Sequence, residues 1–332
     1  MTHRLASSLQ SDSIDDLLRS LRVSGTLLCQ ASLSAPWGLG VPARGLPTFH
    51  VVSSGDCRLE VAGEEARRLR GGDLLLLPHG DEHWLRDAPG SDAVWLDELV
   101  RRNPLDGELR LEGGGGGART ELLCGVFSLN GLREHPLLAA LPTVVQLYGD
   151  GASTPWLDAT LGLIAAEIEQ PAPGAAAVWE RLAEMLLTQA LRAVLLEAPA
   201  GGRQGLELLH DEAIAPAVHA IHARPEHRWT LGELAQLCAM SRSAFAARFR
   251  ELTGDSPIRY VTRFRLARAA ELLRTSNVPL AAIARGAGYE SEFSFSRAFK
   301  RTFGRSPRAY RQVDPAREEL RRIVGDDPTR SA

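Results

Sequence analysis

The spacing of apolar residues divides this chain into a region of short β-type runs and regions of helical stripes. Between residues 25 and 129, short apolar runs are separated by Gly, Pro and Asp. Many short strands at such a spacing are typical of a small antiparallel barrel or jelly roll. The strands predicted in this region cover residues 26–32, 48–53, 57–61, 73–77, 93–99 and 121–129.

Helical spacing precedes and follows this β-region. Residues 12–22 predict a short amphipathic helix, and apolar residues recur at helical spacing from Leu157 to Ile168. A second helical stripe begins at Val178, after a Pro-Ala-Pro-Gly segment at 171–174. Because Pro and Gly interrupt helices, the two stripes predict a helical hairpin.

The last hundred residues carry the same pattern twice. A Phe-x-x-x-Phe pair begins at Phe245 and again at Phe295, and a Gly-x-Ser-Pro turn follows each pair, at 254–257 and 304–307. A repeat array needs about three copies to bury a continuous core. Two copies of helix, tight turn and helix instead predict a pair of helix-turn-helix units, which are DNA-binding elements.

Capping signals mark where the helices of these units begin. Thr230 and Glu233 have the spacing of a capping box, and Ser241 and Ser291 are the predicted N-caps of the second helix in each unit. Residues 257–273 predict one helix between the units, about 25 Å long at 1.5 Å per residue. We therefore expect the two second helices to enter successive major grooves, about 34 Å apart, on one face of DNA.

The charge of the chain is unevenly distributed. The formal net charge of −3 argues by itself against a nucleic-acid partner. Residues 211–311, however, carry 17 Lys and Arg against 9 Asp and Glu, a net charge of +8, so the remainder carries −11. This asymmetry is expected for a DNA-binding domain joined to an acidic sensor domain.

The solvent-facing positions of the two second helices are the candidate DNA contacts. Arg297 is the predicted base reader, because Arg bound to guanine O6 and N7 is the commonest specific contact in the major groove. Its counterpart in the first copy is Ala247, which suits a thymine methyl or a close approach better than a hydrogen bond. The full candidate set is Arg242, Ser243, Ala246, Ala247, Arg250, Glu292, Phe293, Ser294, Ser296, Arg297, Lys300 and Arg301.

The other members of this set have different expected roles. For Phe293, an apolar contact to a thymine methyl and a plain packing role are both open. Phosphate contacts, which position a protein without reading sequence, are predicted for Arg242, Arg250, Lys300 and Arg301.

The second copy also carries a family resemblance. Residues 287–307 read A-G-Y-x-S-x-x-x-F-S-R-x-F-K-x-x-x-G-x-S-P. This run resembles the C-terminal signature of AraC/XylS-type transcription regulators, and the resemblance extends over about residues 215–311. It implies a bacterial, sequence-specific protein that binds double-stranded promoter DNA. It also implies a homodimer, and contact with RNA polymerase if the protein is an activator.

The β-region carries a second resemblance. Residues 72–83, from Gly72 to His83, match the second cupin motif. The first motif is present only in part: it contains His50, but Val52 replaces a metal-binding histidine and Asp56 replaces a glutamate. The region resembles the cupin-type sensor domain of one subgroup of these regulators.

A metal site is the sharpest hypothesis for the β-region. The cupin resemblance places His50 and His83 where side chains converge inside the barrel, with Cys124 on a later strand. Two imidazoles and a thiolate suit Zn²⁺, with Asp56 or water as the fourth ligand. A thiolate ligand would also allow oxidant sensing, because its oxidation releases the metal. The alternative is a pair of hydrogen-bonded core histidines beside a small hydrophobic thiol.

The sequence also predicts where the protein resides. No apolar run approaches the roughly 18 residues that indicate a membrane span, and the first residues lack the apolar stretch of a signal peptide. We therefore expect a cytoplasmic protein whose four cysteines are thiols or ligands, not structural disulfides.

Together the patterns predict an α+β chain of several domains. Residues 1–150 form a cupin-like sensor, 151–197 a helical dimerisation segment, 198–212 a linker, 213–312 an all-α domain with two helix-turn-helix units and 313–332 a tail. The expected function is transcription regulation controlled by a metal, an oxidant or a small molecule. The alternative is a metal-dependent cupin enzyme fused to a DNA-binding domain, although no acid/base pair or nucleophile constellation accompanies the partial motif.

Overall fold

The computed structural model describes residues 23–102, 110–129, 135–149, 155–169, 172–197 and 211–313, with the single residues Leu18, Leu208 and Glu318. The helix predicted at 12–22, the linker at 198–212 and the tail at 313–332 lie almost wholly outside the described residues.

The described strands form two sheets. The strands are β1 (Val23–Ser34), β2 (Gly38–Val41), β3 (Thr48–Ser54), β4 (Asp56–Val61), β5 (Arg67–Arg70), β6 (Leu74–Leu77), β7 (His83–Arg86), β8 (Val94–Trp95), β9 (Arg110–Gly114), β10 (Arg119–Leu129) and β11 (Val145–Leu147). One sheet has the order β11-β6-β3-β10-β1-β9 and the other the order β5-β4-β7-β2-β8. Most pairs are antiparallel, whereas β1–β9 and β2–β8 are parallel.

A hydrophobic core joins the two sheets. Leu33, Val52 and Leu75 of the first sheet belong to the same buried cluster as Leu59 and Leu85 of the second. Two antiparallel sheets that share one core are the arrangement expected for a jelly roll or small barrel. The predicted fold class of the N-terminal half is therefore confirmed.

The helices account for the rest of the described structure. They are α1 (Leu96–Arg102), α2 (Pro136–Ala139), α3 (Pro155–Glu169), α4 (Ala175–Glu197), α5 (Ala215–Ala223), α6 (Leu231–Leu237), α7 (Arg242–Thr253), α8 (Pro257–Thr275), α9 (Leu280–Gly286), α10 (Glu292–Phe303) and α11 (Pro307–Gln312). The helix pairs α6–α7 and α9–α10 are the two predicted helix-turn-helix units, and α8 is the helix between them. Helices α3 and α4 lie where the two apolar stripes predict them.

One predicted strand is mostly a helix. The run at 93–99 forms only the short strand β8 before α1 begins at Leu96. Asp97 and Glu98 lie in the first turn of α1 and Arg101 and Arg102 in its last, a charge order that complements the helix dipole. Five short strands, β2, β5, β7, β9 and β11, were not predicted, because such short runs give little periodic signal.

The chain divides into two compact units. The barrel unit contains Gly25–Ser128 and Thr143–Ala190, and the helical unit contains Leu129–Pro142 and Leu191–Val313. The segment Leu129–Pro142 thus clusters with the DNA-binding helices, whereas the domain boundaries predicted from the sequence place it in the sensor domain. Within the described residues, no helix combines the length and apolarity needed to cross a bilayer.

Local capping signals set the helix starts in the helical unit. The Thr230 hydroxyl accepts a hydrogen bond from the Glu233 backbone N–H, while the Glu233 carboxylate accepts one from the Thr230 N–H at 2.8 Å. Ser241 and Ser291 cap α7 and α10 without a reciprocal carboxylate: each hydroxyl accepts a hydrogen bond from the backbone N–H three residues later. These three predicted caps are confirmed.

Candidate functional site

Helix α7 carries the first group of candidate DNA contacts on its outer face. Its start is fixed by Ser241, whose hydroxyl accepts from the Ala244 N–H at 3.2 Å, while Phe245 and Phe249 are fully buried on the inner face. The exposed positions are Arg242, Ser243, Ala247 and Arg250, and Ala246 is half-buried.

Helix α10 repeats this arrangement in the second unit. Ser291 accepts from the Ser294 N–H at 3.1 Å, and Phe295 and Phe299 are fully buried. Phe293 is 72% exposed, a large apolar surface for a helix that is otherwise polar on this side. The exposed positions are Glu292, Phe293, Ser294, Arg297, Lys300 and Arg301, and Ser296 is half-buried.

The basic candidate side chains on these faces differ from Arg248 of α7 in their partners. Arg248 is held by Asp211 at 2.7 Å and by Glu251 at 3.0 Å. Among the described residues, no ion-pair partner is found for Arg242, Arg250, Arg297, Lys300 or Arg301. Cations without an internal carboxylate partner are available to phosphates and base edges.

Helix α8 connects the two units through its packing. It contacts α7 of the first unit, α9 of the second unit and the helix α11 that follows the second unit. Its first turn is held by Asp255, which pairs with Arg259 at 3.1 Å and Arg263 at 2.7 Å. At 19 residues, α8 is about 28 Å long, which suits the spacing of successive major grooves.

In the barrel unit, three of the four predicted metal-binding side chains lie in a row. The Cys124 Sγ lies 2.9 Å from Nδ1 of His50, and Nε2 of His50 lies 2.8 Å from Nε2 of His83. Nδ1 of His83 lies 2.8 Å from the backbone oxygen of Asp81. We call this row, from Cys124 through His50 and His83 to Asp81, the relay.

The carbonyl at the end of the relay fixes the direction of its hydrogen bonds. A carbonyl only accepts, so Nδ1 of His83 carries the proton and its Nε2 accepts from the Nε2–H of His50. Nδ1 of a neutral His50 is then the acceptor of the Cys124 thiol. With both imidazoles neutral, every donor in the relay has an acceptor.

Burial favours these neutral forms. It lowers the pKa of His50 well below its ordinary range, an effect that His83 reinforces, and it lowers the pKa of His83 to about 4. Burial also raises the pKa of the Cys124 thiol. The relay is therefore an uncharged chain of hydrogen bonds at neutral pH.

This geometry does not fit the predicted three-ligand zinc centre. His83 and Cys124 face opposite nitrogens of the His50 ring, so an ion bound between the imidazoles lies on the side away from the thiol. Asp56, the predicted fourth ligand, does not take part in the relay. Its carboxylate is exposed and pairs with Arg68 at 2.8 Å. Within the described residues, no three His, Cys, Asp or Glu side chains form a set that could hold a metal ion.

Beside the relay lies an apolar pocket in the barrel unit. It contains about 630 Å³ of empty space, part of it continuous with solvent. Its few polar side chains are already engaged: Thr48 donates to the Leu46 oxygen, Arg44 pairs with Asp97, and His50 belongs to the relay. The walls consist of Cys29, Ala31, Leu39, Val41, Arg44, Thr48, His50, Leu96, Val100, Leu111, Cys124, Gly125 and Val126.

Two thiols, Cys29 and Cys124, line this pocket on neighbouring strands. Strands β1 and β10 are hydrogen-bonded neighbours, and the Ala35 N–H donates to the Ala118 oxygen at 2.9 Å. The Ser32 hydroxyl donates to the Glu121 carboxylate at 2.7 Å, which fits the same antiparallel register. Continued along the strands, this register places Cys29 opposite Cys124, where cross-strand Cβ atoms are about 4.5–5.5 Å apart. The sequence alone gives no signal for this pairing.

Each half of the chain matches a known protein family. Residues 12–196 match a family profile described as Cupin, and residues 234–313 match one described as Helix-turn-helix domain. The first match covers more than half of the chain.

Full-length relatives agree with the domain matches. The chain is 33% identical over 302 residues to a putative AraC-like transcription regulator of Streptomyces lividans, covering 91% of this chain and 98% of the relative. It is 34% identical over 312 residues to a second such protein, of Streptomyces antibioticus, again covering 91% and 98%.

Among solved structures, the DNA-binding domain of AdpA in complex with a target DNA is similar over 32% of this chain and 96% of its own length. The identity is 32% and the TM-score 0.30. The family itself rests on the sequence matches, which extend over both units. The chain belongs to the AraC-like family of transcription regulators, with a cupin domain in its N-terminal half and a helix-turn-helix DNA-binding domain in its C-terminal half.

Proposed function

We propose that this regulator binds promoter DNA through the exposed faces of α7 and α10 and responds to a small, uncharged, apolar molecule held in the pocket of the barrel unit. The observation that carries the proposal is the pocket wall. Most of its lining residues are apolar, and its cation, Arg44, already pairs with Asp97, so a ligand meets mainly carbon and sulfur. Such a wall favours apolar ligands through the hydrophobic effect and disfavours charged ones, which lose their hydration without gaining a partner.

The test compares two ligands of matched shape. Naphthalene is expected to bind the full-length protein in calorimetric titration, and 2-naphthoate, which adds a carboxylate, is expected to bind much more weakly or not at all. Ala31→Leu should weaken naphthalene binding, because Ala31 is 1% exposed and lines the pocket. Ala66→Leu, at an exposed position outside the pocket, is the matched control.

The regulatory part of the proposal needs a DNA readout. Operators can be enriched from random duplexes with the purified protein, and their dissociation constants measured with and without naphthalene. A change that Ala31→Leu abolishes and Ala66→Leu preserves would support ligand control. Tighter binding of 2-naphthoate than of naphthalene would contradict the apolar-ligand proposal.

The cross-strand thiols support a second candidate signal, an oxidant of the peroxide class. Cys29 and Cys124 would lose two protons and two electrons to form one S–S bond, while one hydrogen peroxide molecule is reduced to two waters. Peptide mass mapping after peroxide treatment tests this, with Cys57→Ser as control, because Cys57 lies outside the pocket lining. A bond that links Cys29 to Cys124 supports the candidate, and sulfinic acid on a single cysteine argues against it.

Non-enzymatic action is part of the proposal. The full-length relatives are transcription regulators, and the relay contains neutral, satisfied groups. The competing cupin-enzyme hypothesis needs a metal centre, for which the relay geometry is unsuited. Conversion of an added substrate by the purified, zinc- or iron-supplemented protein would support the enzyme instead.

Homodimerisation is also proposed, through the exposed apolar positions of α3 and α4. Leu163 is 56% exposed, and Val178 and Met185, two turns apart on α4, are 42% and 39% exposed. Sedimentation velocity should show a dimer that Met185→Glu dissociates and that Leu237→Glu, at an exposed leucine of α6, leaves intact. An activator would further contact RNA polymerase, which in vitro transcription from the enriched operator measures.

A further inference from the structure

The helical unit includes a segment that precedes the DNA-binding domain by about seventy residues. Residues Leu129–Pro142 cluster with the helix-turn-helix region, and α2 within this segment contacts α8. The same segment directly follows β10, the strand that carries Cys124. It is therefore covalently continuous with the pocket wall and packs on the helix that connects both DNA-binding units.

His135 packs this segment against two helices of the DNA-binding region. It is 6% exposed, and its ring lies edge-on to Phe264 of α8 with centroids 5.3 Å apart. It also lies edge-on to His222 of α5, at 6.0 Å. His222 in turn stacks on Phe264 at 4.4 Å with an interplanar angle of 10°. His135 thus completes a cluster of three buried rings in the helical unit.

The polar atoms of His135 are not satisfied in this cluster. Within the part of the chain that the structure describes, neither of its ring nitrogens has a hydrogen-bond partner. His222, by comparison, bonds Tyr260 through Nε2 at 3.0 Å and leaves only Nδ1 without one. A buried polar group without a partner loses its hydration and gains nothing in return, so the ring packing of His135 is partly offset by this cost. The docked arrangement is therefore easier to open than an apolar one of the same shape.

We propose that His135 is a releasable positioning residue for the DNA-binding unit. While its ring is docked on Phe264, it braces α8 and with it the spacing of α7 and α10. Withdrawal of the ring loosens α8 and changes the fit of the two recognition helices to DNA. This inference adds a positioning residue to the proposed function and rests on it only for the identity of the signal that triggers release.

Two substitutions at His135 separate positioning from mere packing. His135→Phe keeps a ring of similar shape and removes the unsatisfied nitrogens, so it should hold the docked state more firmly. His135→Ala removes the ring and should release α8. Both are made in the full-length protein, with His79→Phe in the barrel unit as the control for a His-to-Phe change.

The first readout is amide hydrogen exchange in Pro257–Thr275, measured without DNA or ligand. Exchange should be slower than wild type in His135→Phe and faster in His135→Ala. The second readout is the operator dissociation constant, which the two variants should move in opposite directions, each by about fivefold, a typical coupling factor between sites. His79→Phe should leave both quantities at wild-type values.

The proposal is overturned if both variants shift the dissociation constant in the same direction, or if exchange in α8 is unchanged in both. If His135→Ala fails to fold, His135→Leu replaces it, because leucine fills part of the space without a ring. The exchange measurement needs neither naphthalene nor an oxidant. A failure of the effector proposal therefore leaves this test intact, and the reverse is also true.

Discussion

The guanidinium of Arg297 lies 5.8 Å from the centre of the Phe293 ring, one turn earlier on α10. Both side chains are exposed, and an aromatic ring at i−4 restricts where the arginine can point. A pre-oriented guanidinium loses less freedom when it bonds a base. We therefore predict that Phe293 orients Arg297, in addition to the thymine contact or packing that the sequence left open.

Phe293→Ala should weaken binding to the enriched operator by about 0.5–1 kcal/mol, the value of an exposed cation–π contact. Phe293→Tyr, which keeps the ring, should restore most of the affinity. Equal losses in both variants, measured by fluorescence anisotropy, would show that the ring does not act through Arg297.

Arg297→Ala should relax sequence selectivity at one base pair by about 1–3 kcal/mol, the value of a bidentate arginine–guanine contact. The measurement compares dissociation constants for operators that differ at each position in turn. Arg248→Ala is the control, because Arg248 is already committed to Asp211 and Glu251. Unchanged selectivity at every position would remove Arg297 from the base readers.

Lys300→Ala should weaken binding to all operators by a similar factor. Because each phosphate contact releases condensed counterions, the slope of log K against log salt should become shallower by about 0.9. A change in preference at a single base pair, with the salt slope unaltered, would contradict the phosphate assignment.

Acidification should destabilise the folded protein through its buried histidines. Burial lowers the pKa of His50 and His135, and lowers the pKa of His83 to about 4 and of His222 to about 3. Below about pH 6.5 the unfolded chain binds protons at these positions and the folded chain does not, so stability falls as the pH is lowered.

The expected slope is about 1.4 kcal/mol per pH unit for each such histidine, present between about pH 6.5 and the folded pKa. Urea denaturation at pH 7.5 and 5.5 measures it. His135→Phe removes one of these groups and should lower the slope by about that amount in the transition of the helical unit. An identical pH dependence in wild type and variant would show that His135 titrates normally.

The relay geometry also predicts metal content. Because Cys124 and His83 face opposite nitrogens of His50, we expect no stoichiometric zinc in the purified protein by elemental mass spectrometry. His83→Ala should leave that content unchanged. Stoichiometric zinc in the wild type that is lost in His83→Ala would show that the imidazoles hold an ion and that the neutral relay is wrong.

Much of the helical half follows from local sequence. The caps at Thr230, Ser241 and Ser291 and the buried Phe pairs depend on residues three or four apart, so the pattern in the chain is enough to predict them. The barrel was predictable as a class but not strand by strand. Its shortest strands are defined by their partners more than by their own periodicity.

The functional details of the barrel were decided by tertiary structure. Whether His50 and Cys124 share a metal or a hydrogen bond depends on which ring nitrogen faces which neighbour, and motif spacing does not contain that information. Asp56 belongs to the same partial cupin motif as His50 in the sequence. In the structure, its carboxylate does not join His50 but pairs with Arg68 at the surface. The placement of Cys29 opposite Cys124 depends on the register of strands nearly a hundred residues apart.

The sequence by itself determined the family, the double helix-turn-helix and the side chains that face solvent on α7 and α10, because these depend on short-range spacing. Tertiary structure alone decided the neutral relay, the apolar pocket and the docking of His135 on Phe264. These contacts join segments that are distant in the chain. Their geometry is set by strand register and side-chain packing, which arise only when the whole core is assembled.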